Sequence, residues 1–89
     1  MELSDYREKI NAIDEQLTAL FVQRMEVSAE IAAFKRAHAL PVLDSAREAQ
    51  KLADVEAQLP EELRPYGKEL YALLFDLSRR YQRAQGGVV

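Results

Sequence analysis

The sequence contains no cysteine, one histidine and no excess of positive charge. Without cysteine there is no disulfide framework and no thiolate nucleophile. A single histidine with no cysteine argues against a structural zinc site, so we expect no metal and no redox cofactor. The formal net charge of −3 offers no basic surface to a nucleic acid.

Glycine and proline are also scarce, with three of each in 89 residues. A hydrophobic content of 48% and a charged content of 30% are ordinary for a soluble helical protein and argue against disorder. No strand or repeat is predicted. We therefore expect one all-α domain over residues 1–89, with a loose tail at 86–89 and three helices at about 5–39, 44–59 and 66–85.

Capping signals mark two of the predicted helix starts. Asp5 with Glu8, and Ser45 with Glu48, have the spacing of a capping box, and Ser4 is an alternative cap for the first helix. Pro41 ends the first helix. The segment 60–67, with two prolines and a glycine, predicts a loop that holds about one helical turn.

Signals for export or membrane insertion are missing as well. The amino terminus has neither the cationic start nor the apolar run of a signal peptide, and no stretch approaches the length of a membrane span. We expect a cytoplasmic protein.

The first predicted helix carries a regular apolar stripe. Its members recur at spacings of three and four, which is typical of a buried helix face: Tyr6, Ile10, Ile13, Leu17, Leu20, Val27, Ile31 and Phe34. A helix of this length spans about 50 Å, whereas a compact chain of this size has a diameter of roughly 30 Å. Another chain must cover part of the stripe, and we predict an obligate two-fold homodimer built around paired first helices.

One arginine interrupts that stripe. Arg24 stands where the rhythm calls for an apolar residue, and Lys35 projects from nearly the same direction about three turns later. Two cations aimed into a mostly apolar interior suggest a pocket for a small anionic ligand. The alternatives are a structural ion pair of Arg24, for instance with Asp14, and a lysine that lies along the surface.

Arg7 lies 17 residues before Arg24, which is about 25 Å along the helix. It therefore cannot share a site with Arg24 of the same chain. If two first helices pack antiparallel, Arg7 of one lies beside residues 30–36 of the other, and the dimer completes the site. The alternative is an arginine exposed to solvent in the first turns.

Polar residues on the other two helices are further candidates. Asp44 is a good N-cap, which alone explains it, and Glu48 is explained as the capping partner of Ser45. Arg47 is a cation in a first turn, where the helix dipole does not favour it. On the third helix the candidates are Ser78 and Gln82, four residues apart, whose alternative role is hydrogen bonding between helices.

His38 lies at the end of the first helix and receives no catalytic role. The sequence offers no nucleophile–base pair and no acid–base dyad. An enzyme of this composition would act by positioning and electrostatics.

In their order along the chain, these residues resemble the all-helical (AroQ-type) chorismate mutase family. The resemblance runs from about Tyr6 to Gln82, and no single element of it is specific, whereas the ordered set is. It rests on Arg7-Glu8-Lys9-Ile10 with Asp14, Arg24, Lys35, Pro41-Val42-Leu43-Asp44 with Arg47-Glu48, and Ser78 with Gln82.

The resemblance implies an intertwined helical dimer and an isomerase of aromatic amino-acid (Phe/Tyr) biosynthesis. Such an enzyme converts chorismate, a dicarboxylate, to prephenate by a concerted [3,3] rearrangement without a cofactor. By analogy, Arg24, Arg47 and Arg7 of the partner subunit would bind the carboxylates, which suits the planar fork of arginine.

The remaining roles follow from the same resemblance. Lys35 and Gln82 would donate hydrogen bonds to the ether oxygen as it gains negative charge, which together with Arg24 makes them the expected catalytic residues. Glu48 and the backbone near Asp44 would bind the ring hydroxyl, and Ser78 would help to hold a carboxylate. Because the amide of Gln82 is neutral, activity should change little between mildly acidic and neutral pH.

Two other functions fit parts of the pattern. Isochorismate-pyruvate lyase shares the fold and the cationic clamp, although Glu48 directly after Arg47 favours the mutase. A non-catalytic helical dimerisation module explains the long stripe but does not explain Arg24 within it. The sequence stops soon after Gln82, so we expect no fused enzyme, and nothing in it suggests an allosteric domain. The alternatives are a domain excised from a longer protein and a partner of a separate synthase.

Overall fold

A computed structural model of the chain describes residues 1–86 and is built of helices. They are α1 (Leu3–Ala37), α2 (Ser45–Gln58), a 3-10 turn at Glu61–Leu63 and α3 (Arg64–Ala84). Residues 1–86 contain no strand, so the predicted all-α class with three helices is confirmed. The loose tail predicted at 86–89 lies outside the described residues except for Gly86.

The shape is set by α1, whose 35 residues make the molecule 55 Å long but only 25 and 15 Å across. The radius of gyration is 16.1 Å, against about 12 Å for a compact chain of this length. Helix α3 packs against both α1 and α2. The chain is therefore an open, elongated arrangement in which α3 joins the other two helices.

The ends of α1 differ from the predicted ones. The helix begins at Leu3 with Glu2 as its cap, and the Asp5 carboxylate accepts a hydrogen bond from the Glu2 backbone N–H at 2.7 Å. The predicted cap at Ser4 or Asp5 was therefore wrong. At the other end α1 stops at Ala37, because Ala39 adopts a left-handed backbone conformation with φ of 54° ahead of Pro41.

The start of α2 corrects a second prediction. Asp44 is the N-cap, and its Oδ1 accepts a hydrogen bond from the backbone N–H of Arg47 at 3.1 Å. The capping box predicted between Ser45 and Glu48 was wrong, because the Glu48 carboxylate binds a side chain of α3 instead. Glu48 is thus free of the helix terminus and available to a site.

The segment before α3 is more helical than the sequence predicts. The 3-10 turn at 61–63 runs directly into α3, which begins at Arg64 with Pro65 in its first turn, a position that tolerates proline. Gly67 lets this turn approach Leu59, since a Cβ at residue 67 would lie 2.1 Å from Leu59 Cδ1. The predicted loop was therefore too long by several residues.

Burial within one chain is sparse. The buried apolar residues are Ala32, Val42 and Val55, and the buried polar ones are Ser28 and Gln82. Every residue from 1 to 23 is exposed, and the members of the apolar stripe from Tyr6 to Leu20 are 54–59% exposed. Among residues 1–86, no helix is long and apolar enough to span a membrane.

Candidate active site

A groove of about 730 Å³ opens between the carboxyl-terminal half of α1, the start of α2 and the carboxyl-terminal half of α3. It is lined by most of the residues that the sequence singled out. Seven of the eight predicted site residues lie on its wall: Arg24, Lys35, Asp44, Arg47, Glu48, Ser78 and Gln82. The exception is Arg7, which is exposed near the start of α1 and does not line this groove.

The α1 wall of the groove carries Arg24 and Lys35, both half-buried. The Lys35 ammonium donates a hydrogen bond to the backbone carbonyl of Val42 at 2.7 Å, which fixes the direction of its side chain. Within residues 1–86, Arg24 forms no ion pair, so its alternative pairing with Asp14 is absent. Arg24 is available to an anion in the groove.

The α2 wall is formed by the first turn of that helix. The Asp44 carboxylate caps the helix by accepting the hydrogen bond from the Arg47 backbone N–H. The exposed guanidinium of Arg47 has no carboxylate within ion-pair distance in the part of the chain described here. The backbone N–H groups of a helix start favour an anion. Arg47 therefore adds a positive charge where the backbone already attracts negative charge.

On the α3 wall, Ser78 links α1 to α3. Its hydroxyl lies 2.7 Å from the hydroxyl of Ser28, and it accepts a hydrogen bond from Gln82 Nε2 at 3.2 Å. The alternative role of helix-to-helix hydrogen bonding thus holds for Ser78. Gln82 is 6% exposed, and its Oε1 is buried without a hydrogen-bond partner within residues 1–86.

The amide of Gln82 has two possible orientations, because its oxygen and nitrogen are assigned from hydrogen bonds. After a 180° rotation, Oε1 would accept from the Ser78 hydroxyl and Nε2 would be the free atom. Ser28 can then donate to Ser78. The unpartnered atom of this amide is therefore an acceptor in one orientation and a donor in the other.

Arg79 and Lys51 are charged lining residues that the sequence analysis did not single out, and Arg79 has a partner in the groove. Its Nη1 donates to both carboxylate oxygens of Glu48, each at 2.5 Å. Arg79 lies three residues before Gln82, and residues three apart share a helix face. That spacing was an available signal, but the capping explanation of Glu48 left no reason to look for a partner.

The groove has the opposite charge to the chain as a whole. Five cations line it, Arg24, Lys35, Arg47, Lys51 and Arg79, with the two carboxylates of Asp44 and Glu48. The lining therefore carries three net positive charges, while the chain carries −3. Charge concentrated in a cleft with apolar walls attracts a small anion.

One of three comparisons with known proteins finds a match to this chain. Neither the curated proteins nor the solved structures include a match to the chain. The model of the family described as chorismate mutase type II matches residues 6–83, which include all three helix walls of the groove. The chain therefore belongs to the chorismate mutase type II family, a family of isomerases.

Proposed function

We propose that this protein converts chorismate to prephenate in a single concerted step and serves aromatic amino-acid biosynthesis. The observation that carries the proposal is the meeting of seven expected site residues, drawn from three helices, in one cationic groove. Family membership supports the reaction in general. The substrate carries two carboxylates, which matches the excess of positive charge in the groove.

Substrate binding rests on arginine. Arg24 and Arg47 make no ion pair within residues 1–86, so binding a carboxylate would not require breaking one. A guanidinium can bind a carboxylate through two parallel hydrogen bonds, which fixes orientation as well as position. Holding both carboxylates confines the substrate to the compact conformer in which the reacting carbons are close.

Rate enhancement rests on Lys35 and Gln82. The ether oxygen gains negative charge as its bond breaks, and donors aimed at that oxygen bind the transition state more strongly than the substrate. One of the three N–H groups of Lys35 Nζ donates to the Val42 carbonyl, and this bond orients the other two. Gln82 contributes Nε2 once its amide faces the groove. The neighbouring Ser78 hydroxyl would help to hold a carboxylate.

The ring hydroxyl of the substrate is the last polar group to be bound. Glu48 is an acceptor on the α2 wall, and the backbone near Asp44 lies beside it. A carboxylate accepts but does not donate, so it suits a hydroxyl that donates. This contact also favours the mutase over isochorismate-pyruvate lyase, whose fold and cationic clamp are otherwise the same.

The functional unit in this proposal is a homodimer. Residues 1–23 are all exposed in the single chain, and the stripe residues Tyr6 to Leu20 are each more than half exposed. A face of this length needs an apolar partner, and a second copy of the same stripe supplies one around a two-fold axis. Antiparallel pairing would bring Arg7 of the partner subunit to the groove.

The proposal is tested by incubating the purified protein with chorismate and following products by NMR. We expect prephenate far above the uncatalysed rate, and little of it from Arg24→Ala or Lys35→Ala. Arg80→Ala is the matched control, because Arg80 is an exposed cation of α3 that does not line the groove. Catalytic turnover of isochorismate alone would indicate the lyase.

An inactive protein that remains a stable dimer would instead favour the dimerisation module. The cytoplasmic location expected from the sequence stays a prediction, and cell fractionation tests it.

A further inference from the structure

The contact between Arg79 and Glu48 joins α3 to α2 across the groove. One nitrogen, Nη1 of Arg79, bridges both carboxylate oxygens at 2.5 Å. The two side chains are 23% and 26% exposed, so the pair lies in the wall of the groove rather than on the open surface. Within residues 1–86, Arg79 is the cation that pairs with a carboxylate of the groove.

A second carboxylate lies near the same guanidinium. Its Nη2 lies 3.9 Å from Asp76 Oδ1, one turn earlier on α3, while Nη1 faces Glu48. Arg79 is thus hydrogen-bonded to Glu48 of α2, and the Asp76 carboxylate of its own helix lies at the outer limit of ion-pair distance. Exposed ion pairs contribute little to stability, but a half-buried pair with two bonds defines a geometry.

The bridge leaves Glu48 able to accept further hydrogen bonds. A carboxylate has about four acceptor sites on its two oxygens, and the bridging nitrogen takes one from each. The remaining sites can accept a hydroxyl from a ligand. Without the bridge, the carboxylate could rotate about its terminal torsion, which has broad preferences.

We propose that Arg79 is a positioning residue that determines specificity, because it holds Glu48 as a fixed acceptor for the ring hydroxyl of the substrate. This inference rests on the proposed function, since it names the group that makes the hydroxyl contact selective. A site built to bind a hydroxyl discriminates strongly against an analogue that lacks it. Arg79 supplies that discrimination through Glu48, without touching the substrate.

The test compares chorismate with its analogue that lacks the ring hydroxyl, using the full-length dimer. In Arg79→Ala we expect kcat/KM for chorismate to fall by roughly 10- to 100-fold, as a misplaced contact does. The value for the deoxy analogue should change less than about threefold. Arg79→Lys should recover part of the loss, since it keeps a donor but reaches less far.

Two controls separate positioning from charge and from folding. Arg80→Ala removes the neighbouring arginine, which pairs with Asp76 at 3.1 Å and lies outside the groove, and should leave both kcat/KM values unchanged. In a Glu48→Ala background, Arg79→Ala should cost little further activity with chorismate, because the residue it positions is gone. Thermal unfolding of each variant reports any loss of structure.

Equal losses with both substrates, or a full loss in the Glu48→Ala background, would overturn the inference and make Arg79 a direct ligand of a carboxylate. An unchanged Arg79→Ala enzyme would overturn it too. Either result leaves the proposed function standing, provided that the unmodified protein forms prephenate. A protein that forms none contradicts the proposed function before any variant is compared.

Discussion

The two halves of α1 carry the same apolar rhythm but have different surroundings. From about residue 24 onward the helix buries Ser28 and Ala32 and carries Arg24 and Lys35 on the wall of the groove, while its stripe residues Val27, Ile31 and Phe34 remain 41–58% exposed. From residue 1 to 23 it is exposed throughout, with its stripe open. Periodicity shows that a helix face is to be covered, and it does not show whether its own chain or another covers it.

The difference assigns separate tasks to the halves. The carboxyl-terminal half contributes Arg24 and Lys35 to the groove of its own chain. In our proposal, the amino-terminal half binds the second copy and carries Arg7 to the groove of that copy. Substitutions in the amino-terminal half should therefore act through assembly, and substitutions of the groove residues Arg24 and Lys35 should act on chemistry.

The largest effect is expected from Leu17→Glu in the exposed half. A charge on the stripe opposes burial of two copies of this face, and each lost leucine contact costs about 1.5–3 kcal/mol. We expect dissociation at micromolar concentration, seen by analytical ultracentrifugation, together with loss of mutase activity.

Ala19→Glu is the matched control for that substitution. It adds the same charge on the opposite side of α1 and should leave the dimer intact. A Leu17→Glu protein that remains a fully active dimer would contradict the proposed interface.

The next effect is expected from Arg24→Leu in the groove half. Removing one partner of a charge-assisted contact costs about 3 kcal/mol, which is more than a hundredfold in kcat/KM. The dimer should persist with equal or higher stability, because leucine restores the apolar rhythm. Steady-state kinetics measure the loss of kcat/KM, and thermal unfolding measures the stability of the dimer. Loss of the dimer would count against a ligand role for Arg24.

A smaller effect concerns Gln82, a residue of α3 that lines the groove opposite Arg24 and Lys35 of α1. Activity of the unmodified enzyme should change little between about pH 5 and about pH 7.5, because an amide donates in either condition. Gln82→Glu should be more active at the acidic end, since a carboxyl donates only when protonated. A sharp fall of the unmodified enzyme over this range would argue against Gln82 as the donor.

Much of this architecture was predictable from local signals. The three helices follow from periodicity and from the prolines, and the candidate cations Arg24 and Lys35 follow from their places on the apolar face, whereas the roles of the uncharged and acidic candidates came from the family resemblance. The start of α3 was not predictable in the same way, because Pro65 and Gly67 read as loop residues. Their places in a helix depend on the first-turn tolerance of proline and on the close approach of Leu59.

The pairing of Glu48 with Arg79 was beyond the sequence for another reason. A capping box is a local pattern and explained Glu48 completely, whereas its actual partner lies 31 residues away on another helix. Sequence patterns within one helix do not predict a contact between two helices. When a local pattern already explains a residue, as the capping box explained Glu48, its contacts with other helices are found only from the structure.

The most direct test of the account asks whether each site is shared between two chains. Arg7→Ala and Lys35→Ala subunits, with different tags, are co-expressed and the mixed dimer is purified. If Arg7 acts in the partner's groove, one site of that dimer is intact, and we expect about half of the unmodified activity. The control dimer pairs an unmodified chain with a chain that carries both substitutions, and it should be inactive, because each of its sites lacks one residue. The reverse result, an inactive mixed dimer and a half-active control, would contradict the shared site.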